Sequence, residues 1–108
     1  MTHQTVQILT FEGCPNRARA IAFVDRVVAE SGISTSVEVV DVADPAQAVA
    51  LRFLGSPTIR VDGMDIESGA GERDDFALAC RVYRTEAGLQ GLPDPNVLEL
   101  ALAAEPSA

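Results

Sequence analysis

Two hydrophobic periods alternate along this chain, and the switches between them mark its elements. Residues 6–11 (Val-Gln-Ile-Leu-Thr-Phe) are apolar, β-branched and aromatic, and begin as a partial alternation, which predicts a largely buried strand. Glu12-Gly13 breaks that run. Over residues 15–31 the apolar positions Ile21, Val24 and Val28, supported by Ala20 and Val27, recur at helical spacing and leave Arg19, Asp25, Arg26 and Glu30 for water. Gly32 suits the left-handed residue that ends such a helix. Residues 36–42 (Ser-Val-Glu-Val-Val-Asp-Val) set Val37 and Val39 on one face and predict a second strand. A second helix should follow, capped by Asp44, opened by Pro45, boxed by Gln47, and running through Ala48, Val49, Leu51, Phe53 and Leu54 to Gly55.

The order strand, helix, strand, helix favours parallel pairing through a right-handed crossover. Residues 58–61 and 64–66 are short strand-like pieces joined by Asp62-Gly63, a two-residue hairpin signal, so the third and fourth strands should be antiparallel. Residues 68–75 read as a loop rich in glycine, serine and charge, and residues 85–93 as a second irregular stretch. Between them, residues 76–83 fit helix or strand, and helix is the expectation. Asp94-Pro95 opens a last helix over 96–104 with Val97, Leu98, Ala101 and Leu102 on its buried face, and residues 105–108 should fray. The expected architecture is one α/β domain over residues 1–108, ordered over about 5–104, with a four-stranded mixed sheet.

Composition narrows the class of protein. The chain has 108 residues, 47% apolar and 22% charged, a balance that suits a single soluble globular domain. Its net charge is −8 and its basic residues are all arginine, nowhere clustered with aromatics, so nucleic acid is not an expected partner. Apolar stretches are broken by charge well before the roughly 20 residues of a membrane span, and the first residues lack a signal-peptide pattern. No membrane partner is expected, and the cytoplasm is the expected location. There a structural disulfide between Cys14 and Cys80 is disfavoured.

Cys14 is the residue whose position suggests chemistry, because it falls where the first strand hands over to the first helix. Backbone amides and the positive end of a helix favour thiolate over thiol, and Arg17 adds a positive charge if its side chain turns back. A buried, inert cysteine is the alternative. For Cys80 the neighbours Leu78, Ala79 and Val82 favour a core position, unless the segment folds back over the Cys14 loop, where its thiol would resolve an oxidised Cys14. The single histidine, His3, sits near a terminus expected to be mobile and has no spaced partner, so no metal site is assembled. Asp74 and Asp75 suit a solvated loop, and Gly69-Ala70-Gly71 lacks the context of a phosphate or dinucleotide loop, so no cofactor is expected.

Cys14-Pro15-Asn16-Arg17 at a strand-to-helix junction, a βαβ unit, and Ser56-Pro57-Thr58 opening a hairpin together resemble the thioredoxin and glutaredoxin superfamily across residues 6–66. Arg17 stands where the second cysteine of the glutaredoxin motif would be, which leaves monothiol chemistry. The resemblance implies a thioredoxin-like fold, a cis Pro57 facing Cys14, and Ser56 exposing its backbone to a bound thiol peptide. It also makes Pro15, Asn16, Arg17 and Thr58 substrate-binding residues. Phe11-Glu12-Gly13-Cys14-Pro15-Asn16, Leu54-Gly55-Ser56-Pro57-Thr58-Ile59 with Asp62-Gly63, and Cys80-Arg81-x-Tyr83 further resemble a small bacterial thioredoxin-like family, some of whose members are labelled alkylmercury lyase.

The expected function is thiol–disulfide exchange through Cys14, with Cys80 as a second catalytic candidate and a protein or low-molecular-weight thiol or disulfide as partner. Two alternatives stay open. One is a two-thiol protein that handles a soft metal or organomercurial, with Asp74 or Asp75 as the acid; the other is a non-catalytic peptide-binding module. A homodimer is also left open.

Overall fold

A computed structural model of the chain describes residues 3–103. The expected fraying of residues 105–108 and the reach of the last helix to Ala104 lie outside the described residues. The elements are β1 (Gln4–Thr10), α1 (Arg17–Ser31), β2 (Thr35–Asp41), α2 (Pro45–Ala50), β3 (Thr58–Val61), β4 (Met64–Asp65), a 3-10 turn (Ala70–Glu72), β5 (Tyr83–Thr85), β6 (Gly88–Gln90) and α3 (Pro95–Ala103).

The fold is mixed α/β, built on a four-stranded mixed sheet in the order β2-β1-β3-β4. β1 pairs in parallel with β2 and antiparallel with β3, so β1 and β3 form the buried centre. Alternation along β1 feeds both faces. Val6 and Ile8 join Ile59 and Val61 of β3 under Ala20, Phe23, Val24 and Val27 of α1 and Leu98 and Leu102 of α3. Leu9 points to the opposite face and packs with Val42, Ala48 and Phe53 beneath α2. In the β3–β4 hairpin Asp62 and Gly63 have φ of 50° and 84°, the two positive values of a type I′ turn.

Four elements differ from the expectation. α1 begins at Arg17 rather than at residue 15, because Arg17 N–H donates to Cys14 O at 3.2 Å and closes a separate turn ahead of the helix. α2 stops at Ala50 instead of continuing to Leu54. Arg52 takes a φ of 53°, and Arg60 donates to the carbonyls of Leu51 (2.6 Å) and Arg52 (3.0 Å), which caps the helix end while Phe53 turns into the core. The expected Val49 and Leu51 stripe is accordingly exposed.

Residues 76–83 are not a helix, because their backbone groups bond to another segment. Ala77 N–H donates to Phe53 O, Ser56 N–H to Ala79 O, and Arg81 N–H to Ser56 O, which holds the segment extended. The stretch expected to be irregular, 85–93, instead contains the turn and β6 of the β5–β6 hairpin together with the last residue of β5. His3 is anchored, with its ring nitrogens 2.8 Å and 2.6 Å from the hydroxyls of Ser34 and Ser36.

Candidate functional site

The site forms at the end of the sheet where β1 finishes and β3 begins. Beyond Thr10 the chain makes a β-turn over residues 11–14, closed by Cys14 N–H donating to Phe11 O at 3.1 Å. Gly13, third in that turn, has a φ of 91°, which a side chain there would strain. A second turn follows at once, closed on the Cys14 carbonyl by Arg17 N–H. Both backbone groups of Cys14 are therefore fixed, and its sulfur sits on a rigid corner two residues ahead of the N-cap, Asn16.

Cys14 is 7% exposed: it is buried, yet it retains a sliver of access. The helix end lies two residues further from Cys14 than the sequence suggested, since α1 starts at Arg17. The Arg17 guanidinium, expected to turn back toward Cys14, pairs with Asp41 at 3.2 Å. Both partners of that pair are well exposed, so it adds little stability. Asn16 caps nothing with its side chain; its Oδ1 accepts from Arg19 at 3.0 Å, and Gly91 packs so closely on its carboxamide that any side chain there would collide. Pro15 is exposed. A cleft of about 510 Å³ opens beside this corner among Phe11, Glu12, Arg17, Val42 and Leu78.

Across the sheet end lies the Ser56–Pro57 peptide, which is cis. Leu9 faces Thr58 in the antiparallel register, so Ser56 and Pro57 stand beside the residues leading to Cys14. Ser56 departs from the expectation that it offers a free backbone. It is fully buried, its N–H donates to Ala79 O at 2.8 Å, and its carbonyl accepts from Arg81 N–H at 2.9 Å. Its hydroxyl, like that of buried Thr10, has no hydrogen-bond partner.

These bonds form a parallel bridge between Ser56 and Cys80. Cys80 is exposed rather than in the core, and both cysteines are free thiols. The expectation of a core position failed because Leu78 alone turns inward, against the Leu9–Phe53 cluster, while Cys80 and Val82 face out.

Arg81 is part of the Cys80-Arg81-x-Tyr83 pattern, but the sequence reading gave it no role. Its side chain is 1% exposed and donates to Asp65 at 2.6 and 3.0 Å, to Glu67 at 3.1 Å and to Thr58 Oγ1 at 3.1 Å. The guanidinium also stacks 4.5 Å from the centre of the Tyr83 ring. Burial opposes its charge, but the bonds to Asp65 and the field of that carboxylate outweigh burial and push its pKa up. Tyr83 Oη donates to Pro57 O at 2.5 Å, and burial pushes the Tyr83 pKa up, with Arg81 opposing. Thr58 Oγ1 in turn donates to Gly55 O at 2.7 Å. Thus Asp65, Glu67, Arg81 and Tyr83 weld the Cys80 segment to the loop carrying Pro57.

Asp74 is exposed, and Asp75 is paired with Arg73 at 2.6 Å, so that exposed loop supplies an ion pair of its own. Among the described residues no group of three or more His, Cys, Asp or Glu side chains is placed to hold a metal ion, and no helix is long and apolar enough to cross a membrane. Comparison of the chain with protein-family models, with curated proteins and with solved structures finds no match to any of them.

Proposed function

We propose that the chain is a thioredoxin-like thiol–disulfide exchange protein in which Cys14 is the attacking thiol. The observation that carries this reading is the placement of Cys14 on a corner fixed by two turns, at the sheet end shared with the cis Ser56–Pro57 peptide. The strand order β2-β1-β3-β4, with two helices on one face and one on the other, supports a thioredoxin-like fold.

A thiol exchanges by in-line attack of its thiolate on a disulfide sulfur, so the nucleophile must be held in place and the site must stay open on one side. The turns support the first condition, and the 7% exposure that Cys14 retains supports the second.

The test is exchange with oxidised glutathione, followed by the appearance of free glutathione from the reduced chain. The expected result is exchange by the wild type that falls to the uncatalysed background in Cys14→Ser. Equal exchange by the two proteins would overturn the reading.

A further inference from the structure

We infer that Ala79–Cys80–Arg81 is a built-in strand that fills the backbone edge beside Pro57 and presents Cys80 as the sulfur partner of Cys14, with Arg81 as the residue that positions it. The inference rests on the thiol-exchange reading and adds to it the class of external substrate, a small disulfide rather than an extended polypeptide.

The edge comes first. A polypeptide that docks by strand addition needs a free N–H and C=O on the edge it joins. Ser56 has neither free, because Ala79 and Arg81 hold both at 2.8 and 2.9 Å. Gly55 shows how tightly the strand is seated: a methyl group there would lie 3.0 Å from Ala79 O and 3.1 Å from Arg81 Cβ.

Next comes the sulfur. Cys14 follows the end of β1 through one turn, and Cys80 bridges Ser56, two residues before β3, the antiparallel neighbour of β1. Both cysteines thus belong to one sheet end. The bridge to Ser56 fixes the Cys80 backbone at that sheet end, while the Cys80 side chain stays exposed to solvent.

Finally, the hold on Cys80 is electrostatic and rigid. Arg81 directly follows Cys80, and its fork is fixed by both oxygens of Asp65, by Glu67 and by Thr58, with its flat face on Tyr83. A lysine would keep the charge but lose both the bidentate fork and the stacking.

The chemistry balances with one co-reactant, a low-molecular-weight disulfide. The Cys14 thiolate attacks one of its sulfurs, forms a mixed disulfide and releases one thiolate. The Cys80 thiolate then attacks Cys14 Sγ, releases the second thiolate and leaves a Cys14–Cys80 disulfide. Two electrons pass to the small disulfide, and the protons lost by Cys14 and Cys80 go to the two released thiolates.

The experiment follows the reduced full-length chain with oxidised glutathione by acid quenching and mass spectrometry. In the wild type the glutathione adduct on Cys14 should be transient and the intramolecular disulfide should be the end product, whereas in Cys80→Ser the adduct should persist. In Arg81→Lys and in Asp65→Asn the first step should keep its rate while closure slows by about tenfold or more, the kind of loss that follows misalignment of an intramolecular partner. A linear peptide disulfide should react no faster than glutathione. Closure at the wild-type rate in both variants, a persistent Cys14 adduct in the wild type, or a marked preference for the peptide overturns this inference alone. Absence of any adduct on Cys14 in Cys80→Ser overturns the thiol-exchange reading and this inference with it.

Discussion

Arg81→Met should be among the most damaging single substitutions in the chain. Arg81 gives two bonds to Asp65, one to Glu67 and one to Thr58, all from a side chain that is 1% exposed. Without it, the Asp65 carboxylate, 11% exposed, keeps only the Glu67 N–H at 2.9 Å. Removing one partner of a buried ion pair costs about 3–5 kcal/mol, because the other charge stays desolvated. A domain of this size has roughly 5–15 kcal/mol in all, so about a fifth or more of its stability is at stake. At about 4–8 °C per kcal/mol, a loss near ~3 kcal/mol lowers Tm by on the order of 10–25 °C. The pair contributes by mutual compensation, so Arg81→Met with Asp65→Leu should recover ~2 kcal/mol of that loss. Glu67 assists the recovery, since Arg73 lies 3.6 Å away to receive it. Urea unfolding followed by circular dichroism measures both proteins. A loss below about 1 kcal/mol in Arg81→Met, or a double variant no more stable than the single one, refutes the reasoning.

Two further outcomes follow from the same weld. Gly55 has a φ of 111° and no room for a methyl group against Ala79 and Arg81, so Gly55→Ala should cost about 1–3 kcal/mol and speed tryptic cleavage after Arg81. Unchanged stability and cleavage would contradict the tight seating. Tyr83 is the only tyrosine, and the chain has no tryptophan, so phenolate absorbance reports that one ring. Its folded pKa is raised by burial, which means the native state holds its proton where the unfolded state releases it. Stability should therefore be intact below about pH 10 and fall as pH rises past that value, with phenolate appearing together with unfolding. Smooth ionisation near pH 10 with the fold intact would refute this, and Tyr83→Phe should flatten the alkaline loss.

Much of the frame was legible because its signals are local. Asp62-Gly63 specifies its hairpin through two positive φ values, Asp44 accepts from Gln47 N–H at 2.9 Å, and Gly32 ends α1 with a φ of 70°. The corner at Cys14 was legible for the same reason, since Gly13 marks the turn that makes it. What failed depends on contacts across long sequence separations. Arg60 ends α2 from β3, and no helical propensity in residues 51–54 reports that.

Cys80 was misplaced because its neighbours Leu78, Ala79 and Val82 are apolar, which does not report the direction each side chain takes in an extended segment. Arg81 is 2% exposed and Tyr83 1%, with Val82 exposed between them, so the alternation of a half-buried extended segment was present with an arginine at one inward position. The carboxylates that make such burial tolerable, Asp65 and Glu67, lie 16 and 14 residues earlier. A search for acidic partners near the hairpin would have been the only available clue.

The central claim is that folding makes Cys14 a better nucleophile than an ordinary cysteine, and alkylation kinetics tests it directly. In Cys80→Ser the rate of Cys14 with iodoacetamide at neutral pH is measured for the folded chain and again in urea. The account predicts faster alkylation in the folded chain, despite the burial of Cys14, because the two turns hold its sulfur fixed at the corner. Alkylation that is slower when folded, and released only by unfolding, would contradict it.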